Sequence, residues 1–298
     1  MNKEKQQGLG VILIANTIFG LNIPVTKSLI AHWMTPMGYT TTRMFFGTAI
    51  FWMIGSFLRK DKVEPRDLIV MMTGGLIGFL GTQFLFSQSL KYTTPVVFSL
   101  LMALTPVVVL LLSAFFLKEG IPVRKVLGIL ISIFGASMII LLSGSQNNMG
   151  SNNFLGIFFA VLCVLCYAGY LVMTRKISVR YQPVTIAKWM FLVSALVAAP
   201  FSFTELQGQR LYSVDANIQA FGLLAFALLF STTLAFFLMP VALKRLEAST
   251  VSIFMNLQPI VASVVAIVVG QDTFTLDKPL AALLVIAGVY LVTTQRRH

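Results

Sequence analysis

Charge is scarce in this chain. Only 11% of its 298 residues are Asp, Glu, Lys or Arg and 57% are hydrophobic, whereas about a quarter of a soluble domain is charged. No stretch is polar enough to form the watery surface of a globular unit, so length here counts membrane spans and not soluble domains. The two cysteines, Cys163 and Cys166, share one apolar run. They are too few for a disulfide framework or a four-ligand zinc site and read as small packing residues. The only histidines are His32 and His298, and all ten carboxylates fall between or at the ends of the apolar runs, which leaves no mid-membrane acid to relay protons. No Walker-type loop is present to hydrolyse ATP, metal chemistry lacks ligands, and no nucleophile, base and orienting group cluster at one depth as an enzyme would need. No cofactor is implied. No Ala-x-Ala-like site follows the first apolar run, so that run is expected to stay as an uncleaved span.

What the chain does have is apolar length. Runs able to cross a hydrocarbon core of about 30 Å lie near 8 to 28, 36 to 58, 67 to 90, 94 to 117, 123 to 142, 154 to 174, 183 to 203, 217 to 240, 248 to 269 and 277 to 294. They lack the alternation of a barrel strand, and helices are the remaining way to satisfy every backbone group in lipid. Proline near the first turn marks helix starts at Thr35-Pro36, Ile121-Pro122, Gln182-Pro183 and Lys278-Pro279 after Asp277.

The net charge of +12 is not a nucleic-acid footprint, because the basic residues form no stripe. With the N-terminus cytoplasmic, sixteen of the 22 Lys and Arg fall on the cytoplasmic side and four, Lys27, Lys91, Arg210 and Lys278, on the other. Arg43 and Lys188 lie inside runs. Excess basic charge in short loops sets orientation, so both termini are expected in the cytoplasm, and an even count of ten spans follows. The expected location is the cell membrane.

The chain also matches itself. At an offset of 153 residues, Leu90-Lys91 pairs with Leu243-Lys244, Ser99 with Ser252, Met102 with Met255, Pro106 with Pro259 and Gly135 with Gly288, while Glu119 falls on Asp272. At 149, Gly20 pairs with Gly169 and Lys27 with Lys176. Two five-span repeats, 1 to 145 and 150 to 298, follow. Five being odd, the second enters from the opposite side, an inverted repeat of the kind found in secondary transporters.

These residues resemble the drug/metabolite transporter superfamily, specifically its EamA-type members. Phe19-Gly20 through Lys27 is similar to the family's first-helix segment, and Pro36 through Arg43 to its second-helix Pro and Arg. The most specific block runs from Ser89-Leu90-Lys91 through Pro106-Val107 to Lys118-Glu119, Gly128 and Gly135, with a counterpart from Ala242-Leu243-Lys244 through Gln258-Pro259 to Gly288. The resemblance covers essentially the whole chain. It implies an all-α integral membrane protein of ten helices, both ends cytoplasmic, that exports or exchanges small metabolites such as amino acids through a central cavity by alternating access. Gln271-Asp272 stands where the family's second half often has Glu. A non-transporting regulatory or scaffold subunit is the alternative, and its centre should be dry and tightly packed. The partners are a small-molecule substrate and the lipid bilayer, with no nucleic acid and no particular oligomeric state implied.

The candidate substrate-binding residues are Asn16, Gly20, Gln83, Tyr167, Tyr170 and Asn256. Asn16 and Gly20 share a helix face, reading equally as cavity lining or as helix glue and close packing. Cys163, Cys166, Tyr167 and Tyr170 make one stripe on the sixth helix, where the tyrosines would stack on a planar substrate or pack as core. Gln83 and Ser87 are four apart, and Ser252, Asn256 and Ser263 lie near one face around Pro259. Pro106 and Pro259 each free a carbonyl in mid-helix. Arg43 must snorkel or find a partner, either a substrate anion or loop carbonyls. Gly74, Gly78 and Gly81 are expected to let the third helix pack closely.

Overall fold

The computed structural model describes residues 3–58, 61–117, 123–143, 153–213, 217–246, 250–251, 254–273 and 275–293. Among them there is no strand. The helices are α1 (Lys3–His32), α2 (Pro36–Ser56), α3 (Pro65–Tyr92), α4 (Pro95–Met102), α5 (Thr105–Leu117), α6 (Val123–Ser143), α7 (Asn153–Arg180), α8 (Pro183–Gln207), α9 (Ile218–Arg245), α10 (Leu257–Val268) and α11 (Asp277–Thr293). Together they overlap all ten apolar runs. The expected start at Ile121-Pro122, Glu119, Ser252 and the pair Arg296-Arg297 lie outside the described residues.

Six described helical stretches are long and apolar enough to cross a bilayer: Glu4–His32, Pro65–Tyr92, Pro95–Leu112, Asn153–Arg180, Pro183–Phe201 and Ile218–Arg245. At 21 residues α2 is not among them, since its first two turns carry Tyr39, Thr40, Thr41, Thr42 and Arg43. These polar groups face protein: Thr40, Thr41 and Arg43 are all fully buried. On α7 the two solvents are plain in the spacing. Phe154, Phe158, Val161 and Leu165 are exposed at helical intervals, while Ala160, Cys163, Tyr167, Leu171 and Thr174 are buried on the other face.

Local chemistry sets the ends. Proline occupies the first turn of α2, α3, α4 and α8, and the Thr35 hydroxyl accepts from the Gly38 amide at 3.1 Å. At the far end of α10, Gly270 takes φ 71°, and the Gln271 amide turns back to the Ala266 carbonyl at 2.8 Å, a glycine stop. Lys27 caps α3 from outside: its Nζ donates to the carbonyls of Leu90 (2.7 Å) and Thr93 (2.9 Å), placing a cation where the helix dipole is negative.

The most extensive packing joins α2 to α8 and α6 to α11, while α1 lies against α9 and α10 and α3 against α7. Small residues permit these approaches. A Cβ at Gly47 on α2 would stand 2.5 Å from the Phe191 ring of α8, and one at Gly74 2.9 Å from Met190 Cε. Gly78 lies directly under the Tyr170 ring. Gly81 departs from the expected pattern: the atom its Cβ would meet is the Leu76 carbonyl of its own helix, so it contributes to helix winding and not to interhelical contact. Winding is indeed altered there. Within α3 residues Gly75–Gly81 form a π segment, and within α9 so do Ala227–Ala235. The fourth run is interrupted between α4 and α5, just before Pro106, and α10 is preceded by a 3-10 turn, Phe254–Asn256, just before Pro259.

Candidate functional site

The two interruptions and the two π segments converge on the middle of the protein. Pro106 cannot donate to the carbonyl four residues earlier, that of Met102, and Pro259 likewise leaves that of Met255. The Thr105 hydroxyl takes up the first at 2.6 Å. The side chains of Met102 and Met255 line a narrow cavity of ≈ 50 Å³ together with Phe19, Phe86, Phe98 and Phe236, and with the polar groups of Asn22, Thr82, Gln83, Cys163, Tyr167 and Gln258. In this conformation that volume holds a water or two, and the cavity must widen to take a metabolite.

The polar side of this cavity is tied to the helices behind it. The Gln258 amide donates to Asn16 Oδ1 at 2.7 Å, and Asn16 in turn donates to the Ile12 carbonyl. Asn22 donates to Thr26 Oγ1 at 3.2 Å, and the Thr26 and Tyr39 hydroxyls are 2.9 Å apart. Cys163 Sγ lies 3.4 Å from the Thr82 carbonyl. The Tyr167 hydroxyl has no protein partner among the described residues and is itself buried, on a side chain 6% exposed, while the amide oxygen of Gln83 is engaged by Arg43.

Arg43 sits directly behind Gln83 and Phe236. It is the one buried charged side chain among the described residues, and it neither snorkels nor binds loop carbonyls. Its Nε donates to Thr232 Oγ1 at 2.7 Å, Nη2 to Ser231 Oγ at 2.9 Å and Nη1 to Gln83 Oε1. The guanidinium also lies 5.3 Å from the Tyr39 ring centroid and 5.9 Å from that of Phe236. Ser231 and Thr232 belong to the π segment of α9 and Gln83 follows that of α3, so one cation joins both distorted helices. Away from this site, Arg180 pairs with Asp67 at 2.9 Å and Glu64 at 3.8 Å.

The six candidate residues are distributed over two layers. Gln83 and Tyr167 line the cavity. Asn16 stands one residue behind, holding Gln258, and Gly20 gives close contact between α1 and α10, where an added Cβ would meet Val261 Cβ at 2.9 Å and Gln258 Cα at 3.2 Å. Tyr170 turns instead toward Gly78 and the Phe79 ring, 5.7 Å away, and Asn256 sits in the 3-10 turn beside Met255 without reaching the cavity. Asn22, Thr82, Phe236 and Gln258 were not singled out by spacing. A buried polar residue in an apolar run is the signal that Asn22 and Gln258 did carry.

Both ends of the paired α2 and α8 are fastened. At one end Asp61 Oδ2 accepts from the Gln182 amide (2.9 Å) and the Thr185 hydroxyl (2.8 Å), beside the Arg180–Asp67 pair. At the other, the Thr35 amide donates to Gln209 Oε1 at 2.6 Å, the Thr35 hydroxyl to Glu205 Oε2 at 2.6 Å, and the Leu211 amide to the Trp33 carbonyl at 3.1 Å.

Comparison with known proteins agrees with this architecture. Residues 6–141 and 154–294 each match the model of the EamA-like transporter family. The chain is 25% identical to the uncharacterized transporter YyaM of Bacillus subtilis (strain 168), covering 96% of this chain and 93% of that one. It is 23% identical to an uncharacterized transporter of Archaeoglobus fulgidus over 96% of this chain and 98% of the other. A crystal structure with 21% identity superposes with a TM-score of 0.64 over 97% of this chain and 96% of its own, which shows the fold alone.

Proposed function

This chain belongs to the EamA-like transporter family and is a multi-pass membrane protein, and from that premise we propose that it carries small organic metabolites, amino acids and their relatives first, across the cell membrane by alternating access. The carrier works as an exporter, facilitator or exchanger and not as an enzyme. Ten spans form two inverted five-helix repeats, with both termini cytoplasmic.

The observation that carries this reading is that the helix distortions flanking the cavity occur twice, at matching places. The π segments of α3 and α9, and the breaks before Pro106 and Pro259, recur at close to the 153-residue offset found in the sequence. Two pairs of cavity-lining residues, Gln83 with Phe236 and Met102 with Met255, stand at that offset too. Two similar halves around one site supply inward-open and outward-open forms of nearly equal energy, and interrupted helices beside a cavity supply the give between them. A scaffold subunit would be packed dry at this depth. Instead, six polar or amphipathic side chains, Asn22, Thr82, Gln83, Cys163, Tyr167 and Gln258, line the cavity.

The test is counterflow. Purified protein in liposomes preloaded with unlabelled amino acids, one neutral, acidic or basic compound at a time, should exchange external label for at least one of them above protein-free vesicles. Absence of exchange for every compound in a protein that elutes as a folded species would overturn the reading. The topological part is checked by reaction of introduced cysteines: one placed between Ser143 and Asn153 should react from the outside only.

A further inference from the structure

We propose that Arg43 is the anchor for a carboxylate on the transported molecule, so that the substrate is an organic anion or zwitterion with an apolar body. This rests on the transport reading above and narrows it.

The argument starts from charge. A buried guanidinium in a membrane interior is normally held beside a carboxylate, because a lone charge there is costly. Arg43 has none within ion-pair distance among the described residues; its acceptors Thr232, Ser231 and Gln83, and the Tyr39 hydroxyl beside it, are all neutral groups. Three bonds also leave N–H donors of the five in a guanidinium to spare. The positive charge is therefore solvated and not neutralised, and it lies one side chain from the cavity lined by Asn22, Thr82, Gln83, Tyr167 and Gln258.

Gln83 is the contact between the two. It gives its oxygen to Arg43 and is itself part of the cavity lining, which Tyr167 shares. A carboxylate arriving there meets Gln83 first. It then takes the place of Gln83 Oε1 at the guanidinium by a rotation of the glutamine side chain, so that a charged acceptor of matching planar geometry stands where a neutral one did. The rest of the lining, Phe19, Phe86, Phe98 and Phe236, offers an apolar enclosure for the body of the molecule. Because Arg43 bonds to the π segment of α9 and to the residue just after that of α3, exchange of its partner acts on both halves at once.

The experiment uses three probes of one shape and different charge: 3-phenylpropionate, 3-phenylpropanamide and 3-phenylpropylamine. Thermal stabilisation of the purified protein reads binding, and counterflow in liposomes reads movement. The expected result is that the carboxylate raises the unfolding temperature and is exchanged, with apparent affinity at least about 10-fold above the amide and amine, the order of a charge-assisted bond. Arg43→Lys should weaken that preference. Arg43 also holds helices together, so a folded second variant is needed. Gln83→Glu supplies a fixed carboxylate to the guanidinium; it should be more heat-stable than the parent and lose stabilisation by 3-phenylpropionate. The inference is overturned if the amide or amine is bound and moved as well as the carboxylate, which leaves transport standing. It is also overturned if Gln83→Glu still binds 3-phenylpropionate with unchanged affinity. Arg43-dependent binding of the carboxylate without exchange of any probe upholds the anchor and counts against the transport reading. No binding and no exchange of all three overturns the anchor and leaves the transport reading to the amino-acid counterflow.

Discussion

Gly47→Ala should damage this protein although it adds a single methyl group. Gly47 faces the ring of Phe191, and a Cβ there would stand 2.5 Å from both Cδ1 and Cε1, where carbon atoms ordinarily rest about 3.5–4.0 Å apart. The ring must therefore retreat by about 1 Å. It has no free direction: Phe191 is fully buried, stacked on Phe51 at 5.3 Å and 12°, edge-on to Phe79 at 4.6 Å and 5.6 Å from Phe236. Overpacking of this kind costs about 1–3 kcal/mol. With every side of the ring occupied, the upper part of that range applies, offset by about 1 kcal/mol from replacing glycine by alanine in a helix. A net loss of about 2 kcal/mol corresponds to a fall of roughly 4–8 °C in apparent unfolding temperature. The effect should reach function, because Phe236 also lines the cavity. The assay is thermal unfolding in detergent together with counterflow, with Gly169→Ala on α7 as control, where nothing lies within 4 Å of the added atom. An unfolding temperature for Gly47→Ala within about 1 °C of the parent, or an equal fall in the control, would refute the packing argument.

Lys27→Met should lower the unfolding temperature through loss of about 2 kcal/mol, since the bonds at 2.7 and 2.9 Å to the last carbonyls of α3 are charge-assisted, while leaving substrate preference intact; an unchanged temperature would show the cap to be idle. Asp61→Ala should loosen the start of α8 by about 1–2 kcal/mol, as it removes the acceptor for the Gln182 amide and the Thr185 hydroxyl, read as faster proteolysis near residues 61–67 in intact protein. A pH step across the liposome membrane with equal substrate on both sides should produce no accumulation, because no carboxylate or histidine is buried among the described residues; accumulation that collapses with a protonophore would falsify this, and Asp272→Asn would be the first substitution to make.

Helices were legible because apolar length and proline placement are local properties. Thr35-Pro36 and Gln182-Pro183 announce the starts of α2 and α8 by residue type alone. The π segments were not legible. One extra residue in a turn leaves an apolar sequence such as Gly75 to Gly81 no less apolar, and in a buried or lipid-facing run there is no polar face whose phase would slip. Gly81 shows the consequence. Spacing from Gly74 and Gly78 assigns it to the same packing face, but the wider turn rotates it away from α7 and α8. By length α2 reads as a span, and the cluster of threonines around Arg43 marks a helix walled in by protein more than by lipid.

Spacing within one helix finds faces but not partners, and that decides which site residues could be found. Gln83 and Tyr167 were legible because each is a polar group deep in an apolar run with no local means of satisfying it, and both line the cavity. Asn16 has such a means, the Ile12 carbonyl one turn back, and spends its remaining acceptor on Gln258, so it supports the lining and does not form it. Tyr170 shares a stripe with Tyr167, yet the glycine opposite it at Gly78 draws its ring into an interhelical slot. That glycine lies nearly a hundred positions away, and no periodicity within α7 reports it. Arg43 is the sharpest case. A charge in a span signals a partner on another element, and the partners turn out to be Thr232, Ser231 and Gln83, residues unremarkable in themselves and drawn from both halves. What distinguishes them is the irregular winding that brings their side chains to one point, so the site and the departures from regular helix are one feature.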